Sequence, residues 1–260
     1  LVHYFSAESL NDICISNTVR FKTEAAVTKN KEIEIKEIKA LVLNERALER
    51  FHMKNQSKEL WTRLKNESQL LKLDLSLGKM QTSNHEFKDF VEFIGESKLL
   101  QNLRLSLNQN QTSGSRENIE LLCKGIGSLS ALTELSLELT LSDEGLKFFE
   151  NELAVLGFVR SISLSLNFSD KISDEGIKHL RGTLKSLPFL ENLSLNFVNC
   201  HEISDDGLNH LKNGLLELKA LKKLSICFDF CYKISDTGLN HVKGSLLSLT
   251  SLEYLSLNFS

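Results

Sequence analysis

A repeated phrase constrains the fold of this chain more than any other feature of its sequence. The residues Ser-Asp-Glu-Gly-Ile-Lys-His-Leu at 173–180 recur as Ser-Asp-Asp-Gly-Leu-Asn-His-Leu at 204–211 and as Ser-Asp-Thr-Gly-Leu-Asn-His-Val at 235–242, a step of 31 residues each time. A fourth copy, Ser-Asp-Glu-Gly-Leu-Lys-Phe-Phe, stands at 142–149. A fixed period of this length is typical of a solenoid, in which each unit buries the apolar face of its neighbour.

A second motif, Leu-x-x-Leu-x-Leu, follows each copy of the phrase and also occurs earlier in the chain. In one unit it consists of Leu190, Leu193 and Leu195. The same register fits eight units. The equivalent central residues of these units are Leu41, Leu73, Leu103, Leu135, Ile162, Leu193, Leu224 and Leu255. The repeat array is therefore predicted to span residues 33–260.

The apolar spacing changes within each unit, and this change predicts the elements. Ile177, Leu180 and Leu184 are three or four residues apart, as on one face of a helix. Leu193 and Leu195 alternate with polar residues, as in a half-buried strand. Because strands connected by a helix pair in parallel, the predicted fold is an α/β solenoid. It has a parallel concave β-sheet of about eight strands and helices on the convex side.

The first residues of the phrase predict how the helices begin. Ser142, Ser173, Ser204 and Ser235 stand where a hydroxyl can accept an unpaired backbone N–H of the first helical turn. The Asp that follows each Ser places a negative charge at the positive end of the helix dipole. The Gly present in every copy indicates a close approach between stacked units.

These residues resemble the leucine-rich repeat family. The Leu-x-x-Leu-x-Leu run and the Ile-Ser-Asp-Glu-Gly-Ile-Lys-His-Leu of residues 172–180 are most similar to its ribonuclease-inhibitor-type and F-box-associated long-repeat subclasses. The resemblance covers residues 33–260. It implies a horseshoe-shaped solenoid that binds a protein partner on its concave sheet.

The two ends of the chain are expected to differ from the repeats. Residues 1–32 fit no repeat and are predicted to form an N-terminal cap or flanking segment, because an open solenoid end exposes its core. The sequence stops at Phe259 and Ser260, inside a predicted strand. An uncovered apolar edge promotes aggregation. We therefore expect that the array continues beyond residue 260 or that a partner covers this edge.

The composition argues against several classes of partner. The 31 Lys and Arg residues are nearly balanced by 34 Asp and Glu residues, so neither nucleic acid nor an anionic membrane is the expected partner. No apolar run approaches the ~18 residues of a membrane span. Five Cys residues without a framework spacing favour reduced thiols and a cytoplasmic location.

The predicted concave face offers a partner-binding surface but no catalytic group. Its outward columns consist mainly of Ser, with no His or Lys repeated beside them as a base, so no enzyme activity, cofactor or small-molecule substrate is predicted. The residues that interrupt the columns are the candidates for contacts with a protein partner. They are Lys72, Asp74, Arg104, Glu134, Glu138, Asn196, Lys223 and Tyr254.

Two groups of residues resemble metal ligands in type but not in spacing. His179, His210 and His241 recur at the repeat step, yet equivalent positions of adjacent helices lie about 8–10 Å apart, too far to share one ion. They are interpreted as copies of a partly buried helix residue. Cys200 and Cys231 are expected to be adjacent buried thiols. A disulfide or a zinc site is the alternative, although no Cys-x-x-Cys pair supplies the remaining ligand.

The sequence thus predicts a non-catalytic scaffold for protein–protein interaction, within a larger complex. A component of a cytoskeletal or ciliary assembly is one form of this role. The resemblance leaves a regulatory adaptor or inhibitor as the alternative, such as a substrate adaptor for ubiquitin ligation or a GTPase regulator. A targeting arm of an enzyme encoded outside these residues is a further alternative, and analogy of fold does not choose among them.

Overall fold

The alternating strand and helix patterns of the repeats produce one open β-sheet. The computed structural model of the protein describes residues 13–14, 40–43, 61, 70–76, 83–107 and 115–260. Residues 1–32, the predicted cap, lie outside this part of the chain except for two. The described strands are β1 (Ile13–Cys14), β2 (Ala40–Leu43), β3 (Lys72–Ser76), β4 (Asn102–Ser106), β5 (Glu134–Glu138), β6 (Ser161–Ser165), β7 (Asn192–Asn196), β8 (Lys223–Cys227) and β9 (Tyr254–Asn258).

The strands lie in the sheet in the order in which they occur in the chain. Strands β2 to β9 are parallel, which confirms the predicted parallel sheet of eight strands, while β1 pairs antiparallel with β2 and adds a ninth. The residues predicted to be equivalent pair with one another across every step of the parallel sheet. The register holds even between Leu135 and Ile162, where the step shortens to 27 residues. The loops therefore absorb the differences in length.

One described helix connects each consecutive pair of strands from β3 onward. These helices are α1 (Asn84–Glu96), α2 (Arg116–Gly127), α3 (Asp143–Leu153), α4 (Asp174–Lys185), α5 (Asp205–Leu215) and α6 (Asp236–Leu246). Each helix packs against the helix of the next unit. Because neighbouring strands lie about 4.8 Å apart and packed helices about 8–10 Å apart, the array curves with the sheet on its inner side. The predicted α/β solenoid is confirmed.

The apolar core lies between the sheet and the helices. Inward-facing residues of the strands, such as Leu73, Leu103 and Leu193, are buried. Burial of each such leucine contributes about 2 kcal/mol of transfer free energy. In the later units the core also contains aromatic rings, and those of Phe197 and Phe228 stack with their centroids 5.0 Å apart. Each unit therefore completes its core only in contact with its neighbours.

All six described helices begin after a serine. In four of them the serine is the one predicted from the repeated phrase, and its hydroxyl oxygen accepts a backbone N–H of the first turn. Ser83 and Ser115 cap α1 and α2 in the same way. The predicted helix starts are confirmed.

The Asp of the phrase connects neighbouring units, a role that its position at the helix start does not reveal. The Asp174 carboxylate accepts hydrogen bonds from the backbone N–H and the hydroxyl of Ser204 in the next unit, at 2.8 and 2.6 Å. We call the series of such bonds the inter-unit ladder. It comprises the pairs Asp143–Ser173, Asp174–Ser204 and Asp205–Ser235. Each of these helix starts is thus anchored by the unit before it.

The Gly of the phrase makes room for this ladder. A Cβ atom on Gly207 would lie 2.5 Å from Oδ1 of Asp174, and one on Gly238 would lie 2.4 Å from Oδ1 of Asp205. Such distances are shorter than van der Waals contact. The predicted close approach between units is confirmed at Gly176, Gly207 and Gly238, where its cause is the carboxylate of the preceding unit. At Gly145 the nearest atoms belong to Leu141 of the same unit.

Strand β9 exposes more of its core-facing side than the strands before it. The side chain of Leu255 is 43 % exposed, whereas Leu224, its equivalent in β8, is fully buried. Whether further repeats or a partner cover this side stays a prediction.

Candidate partner-binding face

Side chains that point away from the core form three rows across the sheet, because neighbouring strand residues alternate between its two faces. The first row is Lys72, Asn102, Glu134, Ser161, Asn192, Lys223 and Tyr254. The second row is Asp74, Arg104, Ser136, Ser163, Ser194, Ser225 and Ser256. The third row is Ser76, Ser106, Glu138, Ser165, Asn196, Cys227 and Asn258. We call these rows together the sheet face, and all eight candidates predicted from the sequence lie on it.

The charged candidates of β3, β4 and β5 interact with neighbouring side chains of the same face. Arg104 Nη1 lies 3.8 Å from the carboxylate of Asp74 on the adjacent strand. Glu134 and Glu138 each accept a hydrogen bond from a side chain on β4. Exposed contacts of this kind contribute little to stability. They nevertheless hold four of the candidate side chains in place across the strands.

The candidates Lys223 and Tyr254 are more available to a partner. They lie opposite each other on β8 and β9, and both are exposed. Within the part of the chain that the structure describes, neither their side chains nor that of Lys72 bonds to another residue. Asn196 lies between these groups, and its side-chain oxygen accepts the backbone N–H of Val198 at 3.3 Å. The ammonium group of Lys223 and the phenol ring of Tyr254 are thus both accessible at the β9 end of the face.

Serine hydroxyls occupy the middle of the face. The second row carries Ser on each of five consecutive strands, from Ser136 on β5 to Ser256 on β9, and these side chains are half-exposed. The three rows contain no His that could take a proton from a hydroxyl. The middle of the sheet face is therefore an uncharged surface that offers hydrogen-bond donors and acceptors.

The repeated histidines lie on the helices, away from the sheet face. His179, His210 and His241 are half-buried, as predicted, but their surroundings differ. The Nδ1 atom of His179 lies 2.6 Å from the Glu150 carboxylate, whereas that of His210 is buried without a partner among the described residues. In this part of the chain no three His, Cys, Asp or Glu side chains are grouped as metal ligands.

The thiols of Cys200 and Cys231 are free and buried in equivalent loops. Each Sγ donates a hydrogen bond of 3.2 Å to a backbone carbonyl of the preceding unit, that of Leu166 or Phe197. Burial raises the pKa of Cys200 to about 12 and that of Cys231 to about 11. Both thiols are therefore protonated and unreactive near neutral pH. This arrangement is the adjacent buried pair that the sequence favoured over a disulfide.

Sequence reasoning misses two features of the structure. Exposed aromatic side chains, Phe168, Phe230 and Tyr232, lie where strands lead into helices. Phe168 and Phe230 are separated by two repeat steps, which places them at equivalent positions of their units but does not reveal that they are exposed. The inter-unit ladder is the other feature, and its signal is the constant step of 30 residues between each Asp and the next Ser.

Comparisons with known protein families and with curated proteins do not identify a relative of the chain. No protein-family model matches the chain. No curated protein is found to be similar to it in sequence. None of the helices in the described residues is both long and apolar enough to cross a membrane.

Proposed function

We propose that the chain is a non-catalytic module for protein–protein interaction and that it binds a protein partner through the sheet face. The observation that carries this proposal is the continuity of that face. Its three rows run in register across seven strands, from β3 to β9. A long rigid surface of this kind suits contact with another folded protein better than the enclosure of a small substrate.

The side chains of the face support a protein partner. Ser and Asn side chains supply the polar contacts that a protein interface distributes over its whole area. Tyr254 and Arg104 are of the residue types that most often supply the binding energy of an interface, and they lie toward opposite ends of the face. Lys223, beside Tyr254, adds a cation that a carboxylate of the partner can reach. These three residues are the proposed anchors, and the remaining candidates of the face surround them.

We further propose that the repeats are leucine-rich repeats of the long, helix-containing type. In the unit of β7 the three leucines of the strand motif, Leu190, Leu193 and Leu195, are all buried. Residues equivalent to Leu193 and Leu195 pair with one another across all the parallel strands. This assignment agrees with the use of the sheet as the binding face.

The proposed setting is a larger protein complex in the cytoplasm, of which a cytoskeletal or ciliary assembly is one form. The buried thiols of Cys200 and Cys231 remain unpaired, which supports a reducing compartment. The near balance of charge supports a protein partner over nucleic acid or an anionic membrane.

Cross-linking mass spectrometry of the native complex tests this proposal. We expect links from Lys72 or Lys223 to one stoichiometric protein. The double substitution Ser194→Arg and Ser225→Arg places two large cations in the middle of the face and is expected to release that protein. Asn151→Arg, on the exposed surface of α3, is the matched control and should retain it. Links confined to the chain, or a partner that the double variant retains, would contradict the proposal.

A further inference from the structure

Three loops that lead from a strand into a helix stack in register at one rim of the sheet. The backbone N–H of Phe168 donates to the carbonyl of Val198 at 2.9 Å, and that of Asn199 donates to the carbonyl of Asp229 at 3.0 Å. The loops after β6, β7 and β8 therefore continue the parallel pairing of their strands. Phe168, Asn199 and Phe230 form a row along the rim, in which neighbours are about 4.8 Å apart.

Two aromatic residues in this row have a backbone conformation that aromatic residues rarely adopt. The φ angles of Phe168, Asn199 and Phe230 are 58°, 60° and 63°, in the left-handed region. Asn tolerates this region, whereas an aromatic residue rarely adopts it. Burial does not offset the strain, because the side chain of Phe168 is 67 % exposed and that of Phe230 is 44 % exposed. The fold gains little from these two rings, which points to a role outside the fold.

Tyr232 extends the aromatic surface and is 76 % exposed. Its ring centroid lies 6.4 Å from that of Phe230 and 5.7 Å from the parallel imidazole of His201. The Nδ1 atom of His201 in turn lies 3.0 Å from the Phe230 carbonyl oxygen. These contacts fix the rings of Phe230, Tyr232 and His201 relative to one another. We call Phe168, Phe230, Tyr232 and His201 the rim cluster.

The rim cluster lies among acidic side chains. The three loops and the helix starts that follow them, residues 167–178, 198–209 and 229–240, carry eight carboxylates and three lysines. Two of the lysines form ion pairs with glutamates of the same region, at 2.9 and 2.6 Å. Asp170 and Asp206 are exposed, and their side chains bond to no other residue in the described part of the chain. The surroundings of the cluster therefore carry a net negative charge.

Exposed aromatic rings among carboxylates match the chemistry of a cationic side chain. A guanidinium or ammonium group is attracted to the face of a ring and pairs with carboxylates. The chain contains this arrangement within itself. The Arg116 guanidinium lies 5.9 Å from the ring centroid of Phe148, and its Nη1 atom lies 2.9 Å from the Glu144 carboxylate.

We propose that the rim cluster is a second docking surface, separate from the sheet face, and that it binds a basic polypeptide segment that carries Arg or Lys. The aromatic rings contact the cationic side chains, and the free carboxylates of Asp170 and Asp206 supply opposite charge. The same carboxylates repel nucleic acid and anionic membranes. The rim cluster and the sheet face share no residues. An experiment can therefore disprove binding at one surface without affecting the proposal for the other.

Selection from a displayed library of random peptides by the full chain tests the proposal. We expect the selected peptides to be rich in Arg and Lys and to bind more weakly as salt concentration rises. The triple variant Phe168→Asn, Phe230→Asn and Tyr232→Ser is expected to weaken their binding by about tenfold. The fold should persist, because Asn199 already occupies the equivalent position. Leu247→Ser, an exposed apolar residue after α6, is the matched control and should bind them unchanged.

A second variant separates the charges from the rings. Asp170→Asn with Asp206→Asn keeps the rim cluster and is expected to weaken the binding of the basic peptides by about threefold at low salt. The proposal is overturned if the library yields no binder, if the selected peptides show no basic bias, or if the triple variant binds them as tightly as the parent chain. Loss of a dimer of the chain in the triple variant, measured by sedimentation, would also overturn it, because the cluster would then bind a second copy.

Discussion

The carboxylate of Asp174 lies 2.6 Å from the hydroxyl of Ser204, which belongs to the following unit. The same hydroxyl oxygen accepts the backbone N–H of Asp206 at 3.3 Å, in the first turn of α5. Ser204 thus begins its own helix and joins that helix to the unit before it. Because this relationship recurs in three successive pairs, polar bonds outside the apolar core connect the units. The stability of each unit therefore depends on its neighbour through two kinds of interaction.

Removal of one carboxylate tests the contribution of the ladder. Asp174→Ala deletes both bonds to Ser204, and we expect the free energy of unfolding to fall by about 3 kcal/mol. Asp236→Ala is the matched control, because Asp236 has the same place in the phrase but is exposed. Loss of its interaction with the helix dipole is expected to cost about 0.5 kcal/mol. Urea unfolding followed by circular dichroism measures both changes. Equal losses would show that these aspartates act on their own helix alone.

The pH dependence of stability provides an independent test of the ladder. The hydroxyl and backbone N–H of Ser235, together with the N–H of Gly238, bond to Asp205 and hold the pKa of its carboxyl below the usual range. A lowered pKa in the folded state stabilises the protein above the unfolded value, about 3.9, and this contribution is lost as the pH falls through the folded value. We therefore expect the difference in unfolding free energy between the parent chain and Asp205→Asn to shrink from about pH 6 to about pH 3. Urea unfolding at several pH values measures it, and a constant difference would contradict the expectation.

Two glycines are expected to respond to the same substitution in opposite directions. Gly207→Ala places a Cβ atom 2.5 Å from the Asp174 carboxylate, so the ladder must move apart, and we expect a loss of about 2 kcal/mol. Gly244, inside α6, has no atom closer than 3.6 Å to such a Cβ. Gly244→Ala should therefore gain about 0.7 kcal/mol from the better helix propensity of Ala. Thermal unfolding of both variants checks the signs, and a Gly207→Ala variant that is as stable as Gly244→Ala would refute the assigned role of the carboxylate.

The periodic part of the fold could be predicted from the sequence, because each unit repeats the same local physics. Leu193 and Leu195 alternate with polar residues, and this pattern identifies a half-buried strand in each unit. Because the units follow one another along the chain, each strand then pairs with the strand of the next unit. The strand β1 carries no such signal, since two residues are too short for a period. The ladder also escapes local reasoning, because it joins residues 30 positions apart that approach only after the units have stacked.

The binding surfaces are harder to predict than the fold. A row of serines on the sheet face has the same sequence pattern whether it contacts a partner or only water, so the face could be located but its use could not. The rings of Phe168 and Phe230 give no signal in a pattern of apolar residues, since such residues are expected to be buried. Only the structure shows that they are exposed and have positive φ angles.

Exchange of residues along the rim tests the strain assigned to the aromatic positions. Phe168→Asn removes an aromatic residue from the left-handed region, and we expect the protein to gain about 0.7 kcal/mol in unfolding free energy. The reverse exchange, Asn199→Phe, places a third aromatic residue in that region and should lose about 1 kcal/mol. Urea unfolding of the two variants provides the comparison. A destabilised Phe168→Asn variant would mean that the ring contributes to the fold rather than to binding.

The thiol of Cys227 provides a direct test of the sheet face, because it lies in the third row while Cys200 and Cys231 are buried. A bulky maleimide is expected to label Cys227 in the native chain well before the two buried thiols, because Cys227 is only half-buried. Burial raises the pKa of all three thiols, so accessibility decides the order of labelling. The label stands among the serines and asparagines of the face, so we expect it to reduce binding of the stoichiometric partner. Peptide mass spectrometry measures the labelling.

Cys227→Ser protein treated with the same maleimide is the control, since its sheet face carries no thiol to label. A labelled chain that binds its partner as tightly as the unlabelled chain would place the contact away from the third row, because a bulky group there leaves no room for an approaching surface.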